Sequence, residues 1–165
     1  MIKFEKVSLK QFIEDCHKCE INLDDNELED IWTNLPLPSR STKNSAGYDF
    51  CSPFDIDVVN YCRPKAFPTG IRVILPSNAV LILMPRSGYG FQTGVRLANT
   101  IGVIDADYQY AKNEGHIHVK FVPGFQDKHF NQYDKFMQGI ILNYLTVDDD
   151  DADGNRTGGF GSTGA

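Results

Sequence analysis

The sequence predicts an all-β fold of the sandwich, barrel or jelly-roll kind, and three observations support this prediction. Short runs rich in β-branched and aromatic residues recur from residue 46 onward. Proline, glycine and asparagine interrupt these runs at short intervals, as turns do between the strands of an all-β domain. No internal repeat is visible, and 165 residues suffice for one domain that buries roughly two thirds of its unfolded surface.

The N-terminal part is predicted to contain one strand and two short helices. Residues 2–7 alternate apolar and charged side chains, as a half-buried strand does. The pattern Ser-x-x-Gln at residues 8–11 is typical of a capping box and predicts a helix to about residue 16. Asp24 and Asp25 offer an N-cap for a second helix, and the prolines at positions 36 and 38 end the helical pair.

The remaining body is predicted to be built from strands, followed by an acidic and then a glycine-rich segment. An acidic run at residues 148–153 lacks the ligand spacing of a calcium loop, so we interpret it as a solvated hinge. Residues 158–165 suit either a mobile arm that closes over a ligand or a disordered end. The predicted division is a β body at 1–147, including a helical segment at 9–34, and a hinge and arm at 148–165. The predicted strands of the body are 48–50, 71–75, 80–84, 101–104, 116–122 and 136–145.

Composition excludes several classes of function. The formal net charge of −6 argues against a surface that coats nucleic acid, so an anionic ligand must be held by a local group of donors. No apolar run approaches the ~20 residues of a membrane span, so no membrane association and a cytoplasmic location are expected. Cys16 and Cys19 have zinc-type spacing, but the other two cysteines are distant, which favours reduced thiols over a metal site.

Arg86, Ser87 and Gly88 form the first segment with recognisable chemistry. A cation, a hydroxyl and an unhindered backbone together suit phosphate oxygens, although an ordinary turn could carry the same residues. The glycine-rich tail adds backbone N–H groups, hydroxyls and one aromatic ring that could lie on a flat base. Each segment alone is weak evidence, so their order along the chain matters more.

Five segments, taken in order, resemble the motifs of the trimeric dUTP pyrophosphatases (dUTPases). The segments are 45–50, 85–88, 99–108, 136–141 and the glycine-rich tail. The resemblance covers residues 1–7 and 36–165, and the helical insertion at 9–34 is similar to a bacterial and phage-type branch of the family. It implies a jelly-roll-like β-clip fold, a homotrimer, and Mg²⁺-dependent hydrolysis of dUTP to dUMP and pyrophosphate. That activity lowers dUTP and supplies the precursor of thymidylate.

The resemblance also implies roles for individual residues. Asp105 is expected to be the catalytic base that orients or deprotonates the attacking water, within a β-hairpin at 99–108 that holds uracil. Asp49 is expected either near metal-bound waters or as a support of the site, without ligating the metal directly, which leaves Mg²⁺ bound mainly through the substrate phosphates. The expected substrate-binding residues are Arg86, Ser87, Gly88, Asn99, Val103, Ile104, Tyr108, Gln138, Arg156, Phe160, Gly161 and Ser162.

The sequence departs from the family pattern at several places. Lys135 stands where the family has an arginine, and Arg156 lies one step after the usual position of the arginine in the tail. Residues 110–114 form an apparent insertion that could reshape the rim of the base pocket. His116 and His118 then lie on one face of a strand, where a surface or subunit contact is favoured over a metal pair.

Two alternatives belong to other classes of function. A deaminase on the same scaffold would need a glutamate in the strand after the hairpin, and residues 115–120 contain no acid. The chain could also be a regulator that grips a protein partner through the 9–34 insertion, instead of or beside catalysis.

Overall fold

The computed structural model describes residues 1–60 and 64–154 of the chain. In these ranges the strands are β1 (Lys3–Lys6), β2 (Ser39–Arg40), β3 (Tyr48–Cys51), β4 (Ile56–Val58), β5 (Ala66–Pro68), β6 (Ile71–Ile74), β7 (Ala79–Pro85), β8 (Arg96–Leu97), β9 (Gly102–Asp105), β10 (His118–Val122), β11 (Lys128–Phe130) and β12 (Lys135–Asn143). The helices are α1 (Leu9–Lys18), α2 (Asp25–Asn34), α3 (Ser87–Thr93) and a 3₁₀ helix at Ala106–Tyr110.

The strands pair antiparallel in four small sheets, which confirms the predicted all-β, jelly-roll-like class. The largest sheet has the order β2-β3-β12-β7-β9, and a second has the order β5-β10-β8. β1 pairs with β6, and β11 pairs with β4. Neighbours in a sheet are often distant in sequence, as in β3 beside β12, so the chain crosses repeatedly between sheets. Within the described ranges, none of the helices has the length and apolarity that crossing a bilayer requires.

A single apolar core lies between the sheets and contains many aromatic rings. Phe67, Phe121, Phe130 and Phe136 contact one another with ring centroids 5.7–6.3 Å apart. Phe121 and Phe130 alternate along their strands with exposed or half-buried residues, as the period of two for a strand requires. Phe136 is followed by buried Met137, where the register of β12 shifts. Burial of such rings supplies most of the driving force that holds the sheets together.

The helical insertion packs on this body through its own small core. Val7, Phe12 and Phe54 contribute to that core, and the rings of Phe12 and Phe54 stack at 6.0 Å. Gly70 is required at the joint, because it has a φ of +75° and an added Cβ would lie 2.5 Å from Leu35 Cδ2. The insertion is therefore docked on the body by shape as well as by apolar burial.

The N-cap of α1 differs from the predicted capping box. The hydroxyl of Ser8 accepts from the backbone N–H of Gln11 at 3.1 Å, as expected. The side chain of Gln11 instead donates to Asp15, and Glu114 accepts from both the backbone N–H and the hydroxyl of Ser8. The 110–114 insertion thus contacts the first helix. The second helix has the complete box, between Asp24 and Glu27.

Candidate functional site

The predicted site residues that lie in the described ranges gather in two clefts, of which the first is mostly apolar. This apolar cleft has a volume of about 830 Å³ and lies between the segment 97–105, the 3₁₀ helix and strand β10. Its wall is apolar apart from a few polar side chains at defined positions, as small-molecule sites usually are. The lining residues are Ala66, Leu83, Leu97, Ala98, Asn99, Ile101, Gly102, Val103, Ile104, Asp105, Tyr108, His118, Val119 and Lys120.

The predicted hairpin at 99–108 is a tight turn followed by a strand and a 3₁₀ helix. Leu97 and Thr100 form one isolated bridge, and Thr100 has a left-handed φ of 68°. Beyond the turn, β9 pairs with β7, in the register Gly102 to Leu83, instead of with β8. That pairing is close, because a Cβ at Gly102 would lie 3.0 Å from Leu83 Cβ.

The apolar residues of this segment do not all serve as anchors. Ile104 packs against the core. Ile101 and Val103 instead stay 45% and 53% exposed, although both line the apolar cleft. Val103 is exposed because alternate residues of β9 face opposite sides of the sheet, and Ile101 lies just before β9. Two apolar side chains are thus presented to the cleft instead of to the interior.

Asp105 and Tyr108 lie where β9 passes into the 3₁₀ helix. Asp105 is the last residue of β9, and it precedes the first residue of the 3₁₀ helix at the cleft wall. Tyr108 is 5% exposed, and its hydroxyl donates to the carbonyl oxygen of His116 at 2.8 Å. The side-chain amide of Asn113 donates to the same hydroxyl at 2.8 Å. The ring of Tyr108 is therefore fixed at its far end while it lines the cleft.

The second cleft is polar and contains the predicted phosphate-binding residues. This polar cleft has a volume of about 490 Å³ and is formed by the 41–49 loop, the start of α3 and strand β12. It combines hydroxyls, amides, a guanidinium and one carboxylate. Ser41 and Gln92 belong to it without having been predicted, because polar residues in an exposed loop and helix carry no distinctive sequence signal. The lining residues are Ser41, Ser45, Gly47, Asp49, Arg86, Ser87, Gly88, Tyr89, Gln92 and Gln138.

Asp49 binds two cations, Arg86 of the polar cleft and Lys135 beside it. Its carboxylate oxygens lie 3.2 Å from Arg86 Nε and 3.1 Å from Lys135 Nζ, and they accept from the Ser41 hydroxyl at 2.8 Å. Burial raises the pKa of the Asp49 carboxyl, but the Ser41 hydrogen bond and the two cations outweigh burial and lower it. An ionised Asp49 therefore holds Arg86 at the cleft wall and keeps Lys135 nearby.

These contacts bear on how a metal could be bound. The only carboxylate that lines the polar cleft among the described residues is Asp49, and two cations already neutralise it. The donor set of this cleft suits an anion. It fits Mg²⁺ that is carried on phosphate oxygens, which is the way this ion usually binds at nucleotide sites. The predicted role of Asp49 near metal-bound waters stays a prediction.

Gln138 lies against the loop around Gly47 that forms one wall of the polar cleft. It pairs across the sheet with Asp49 on one side and with Met84 on the other. A Cβ at Gly47 would lie 2.7 Å from Gln138 Oε1, so the glycine gives the amide room to lie against the loop. Of the other predicted substrate-binding residues, Arg156, Phe160, Gly161 and Ser162 lie outside the described residues.

Gly88→Ala is expected to impair function without harming the fold. An added Cβ at Gly88 would meet no atom within 4 Å, and alanine favours the helix α3 by up to about 1 kcal/mol. The methyl group would project into the polar cleft, where displacing a phosphate by a fraction of an ångström costs on the order of 10- to 100-fold in kcat/KM. Steady-state kinetics with dUTP and a thermal melt measure the two effects.

The matched control for this prediction is Gly90→Ala. Gly90 lies in the same helix and its added Cβ also meets nothing within 4 Å, but Gly90 does not line the polar cleft. We expect nearly unchanged kinetics for Gly90→Ala. Equal kcat/KM values for wild type and Gly88→Ala would show that no ligand approaches the Gly88 backbone.

Comparison with known proteins gives the same family as the motifs. The sequence model of the dUTPase family matches residues 33–164, which leaves nearly all of the two N-terminal helices outside the match. A deoxyuridine 5′-triphosphate nucleotidohydrolase of Lactococcus lactis is 35% identical over 138 residues, covering 79% of this chain and 89% of the relative. The enzyme of the same name from Ehrlichia canis is 37% identical over 141 residues, covering 79% and 88%.

Solved structures agree with the sequence comparisons. The dUTPase of Streptococcus mutans superposes with a TM-score of 0.60 at 26% identity, covering 88% of this chain and 98% of that one. The dUTPase from phage phi11 of S. aureus has a TM-score of 0.62 at 17% identity, covering 93% and 97%, and this likeness concerns the fold alone. With a family match over most of its length and curated relatives above 30% identity, the chain belongs to the dUTPase family.

Proposed function

We propose that the chain is a Mg²⁺-dependent dUTP diphosphatase that hydrolyses dUTP to dUMP and pyrophosphate. The pair of clefts is the main support for this proposal. The apolar cleft suits a base and sugar, while the polar cleft suits a triphosphate. Each cleft contains the motif residues that the family resemblance assigns to it. In a cell the activity would lower dUTP and supply the precursor of thymidylate, and a cytoplasmic location remains our expectation.

The chemistry is mainly charge neutralisation and positioning, because phosphate oxygens repel an incoming nucleophile. Arg86, with Ser87 and the backbone at Gly88, binds phosphate oxygens, while Asp49 keeps the guanidinium in place. Asp105 holds a water near the α-phosphorus and accepts its proton. Bound Mg²⁺ would supply further neutralisation of the phosphate charge. Tyr108, fixed through its hydroxyl, packs against the deoxyribose and leaves no room for a 2′-hydroxyl.

We further propose that the active unit is a homotrimer in which each nucleotide uses residues from more than one chain. The two clefts share no lining residue among the described ones. Several apolar side chains near the end of β12 also remain exposed in the single chain, as surfaces that meet a partner subunit do. They include Leu142 at 50% exposed and Leu145 at 98%.

Mixing two inactive variants tests the shared site. Asp105→Asn disables the apolar cleft, and Arg86→Ala disables the polar cleft. If one site takes its two clefts from different chains, unfolding and refolding the variants together restores activity in a fraction of the sites. Because three chains assort at random, we expect recovery to on the order of a tenth of wild-type activity or more. If mass analysis verifies that mixed trimers have formed and activity is still not recovered, the shared site is contradicted.

Of the two alternative functions, the deaminase is disfavoured and the regulatory role remains a hypothesis. The deaminase is not favoured, because β10 brings His118 and Lys120 to the apolar cleft, and the segment 115–120 offers no acid. A regulatory role through the helical insertion at 9–34 stays a hypothesis beside catalysis. Its support is the exposed polar face of α2, where Glu29, Asp30 and Asn34 lie.

A further inference from the structure

Asp15, on the inner face of α1, bridges the helical insertion to two histidines of the body. Its Oδ2 lies 2.8 Å from His116 Nδ1 and 3.2 Å from His118 Nε2. Gln11 Nε2 donates to the same oxygen at 2.9 Å, and Lys18 Nζ lies 3.2 Å from Oδ1. The side chains of Asp15 and His116 are only 3% and 0% exposed. The carboxylate therefore binds four donors in a buried place.

The contacts define the protonation state of each ring. The backbone N–H of Gly70 donates to His116 Nε2 at 2.8 Å, so the proton of His116 lies on Nδ1 and points to Asp15. Burial lowers the pKa of His116, which keeps this ring neutral. Burial also lowers the pKa of His118, but its hydrogen bonds to Asp15 and to the side chain of Cys19, with the charge of Asp15, outweigh burial and raise the pKa of His118 to about 9. Asp15 and His118 thus form a charged pair.

The same contacts argue against a metal centre, although the three possible ligand atoms lie within 4.8 Å of one another. A metal on His116 Nδ1 would move the proton of the neutral ring to Nε2. Two N–H groups, of the ring and of Gly70, would then face each other at 2.8 Å. Burying two facing donors costs more than one hydrogen bond contributes. The cluster is consequently a hydrogen-bonded joint.

Two sets of contacts connect this joint to the apolar cleft. His118 itself lines the cleft, beside Val119 and Lys120 of the same strand. The carbonyl oxygen of His116 accepts a hydrogen bond from the hydroxyl of Tyr108 at 2.8 Å, and Tyr108 also lines the cleft. Asp15 is therefore one contact away from one wall of the cleft and two contacts away from another.

We propose that Asp15 is a positioning residue for nucleotide binding, through which the helical insertion fixes the sugar-facing and base-facing walls of the apolar cleft. This inference rests on the proposed function, because it assigns the apolar cleft to the deoxyuridine part of the substrate. Asp15 touches no substrate in this arrangement. It acts through His118 on one wall and through His116 and Tyr108 on the other.

Asp15→Asn tests the assignment in the full chain, because asparagine keeps the shape of the side chain but loses the charge. His118 then loses the negative charge that holds its protonated ring, and the weaker hydrogen bond to His116 holds Tyr108 less firmly through that residue. We expect KM for dUTP to rise about 5- to 20-fold while kcat changes less than about threefold, the pattern of lost binding that is uniform between ground and transition states. The preference for dUTP over UTP should fall about 5- to 10-fold, within the range for one packing contact.

The matched control is Lys6→Met. Lys6 Nζ donates to the carbonyl oxygens of Trp32 and Thr33, at 2.6 and 2.9 Å, so its loss also weakens the contact between insertion and body. It lies outside both clefts, and we expect unchanged KM and selectivity. If Lys6→Met and Asp15→Asn change KM and selectivity equally, the effect comes from loosening of the insertion and the assignment is wrong.

A second measurement on the wild-type chain covers the case in which Asp15→Asn does not fold. With ¹⁵N-labelled histidine, the ring resonances of His118 should shift on saturation with dUMP, while those of exposed His129 should not. An unmoved His118 signal overturns the assignment, as does a folded Asp15→Asn variant with wild-type KM and selectivity. A wild-type chain that neither hydrolyses dUTP nor binds dUMP overturns the proposed function itself, and this inference with it.

Discussion

Asp105→Asn is expected to abolish turnover while leaving nucleotide binding nearly intact. The amide keeps the shape of the side chain at the end of β9, on the wall of the apolar cleft, but it cannot accept a proton from water. Loss of a general base typically lowers the rate by about 10²- to 10⁴-fold. Single-turnover hydrolysis of dUTP measures the rate, and calorimetric titration with a non-hydrolysable dUTP analogue measures the affinity.

Asp107→Asn supplies the control, because Asp107 lies two residues further along, in the 3₁₀ helix, and does not line the apolar cleft. The substitution removes the same charge from the same short segment, and we expect it to change kcat by less than about threefold. An Asp105→Asn variant that retains more than about a tenth of wild-type turnover would contradict the assignment of Asp105 as the base.

Truncation after Gly154 is expected to collapse turnover and to leave the fold almost unchanged. The removed residues, 155–165, lie outside the described part of the chain, and the prediction rests on their sequence. A glycine-rich tail buries little apolar surface, so the thermal midpoint without ligand should move by only a few degrees, roughly. Loss of the proposed phosphate donors and of the Phe160 ring should cost on the order of 10²-fold or more in kcat.

Phe160→Trp in the full chain tests whether the tail closes over the nucleotide. Activity should remain near wild type, and tryptophan emission should change on adding a non-hydrolysable dUTP analogue with Mg²⁺. The change should be smaller with dUMP, which lacks two phosphates. Trp32 lies in the insertion and contributes a background that the wild-type protein measures directly. If the truncated enzyme hydrolyses dUTP at the wild-type rate, the tail has no role in turnover.

Strands with a long apolar run could be predicted from the sequence, and shorter elements could not. β7 and β12, which pair over seven residues, match the predicted runs to within two residues at each end. β2 and β8 have two residues each, so no periodic pattern exists to reveal them. Helix α3 contains two glycines, which lower helix propensity, and no helix was predicted there.

The site was predictable wherever a motif holds its residues close in sequence. Arg86, Ser87 and Gly88 lie together in the polar cleft, as expected. The contact that orients Arg86 could not be predicted, because Asp49 approaches Arg86 only where β12 pairs with β3 on one side and with β7 on the other. His116 was expected at a surface or subunit contact and is fully buried against Asp15, since the insertion covers it. A contact across about one hundred residues has no local sequence signal.

Product analysis in ¹⁸O-labelled water tests the proposed cleavage of dUTP between the α- and β-phosphates. The purified full chain is incubated with dUTP and Mg²⁺, and with UTP, dCTP and dTTP as competitors for specificity. We predict equal amounts of dUMP and pyrophosphate from dUTP, with the heavy oxygen in dUMP, because water attacks the α-phosphorus. Release of dUDP and phosphate, label in pyrophosphate, or deamination of dCTP would contradict it.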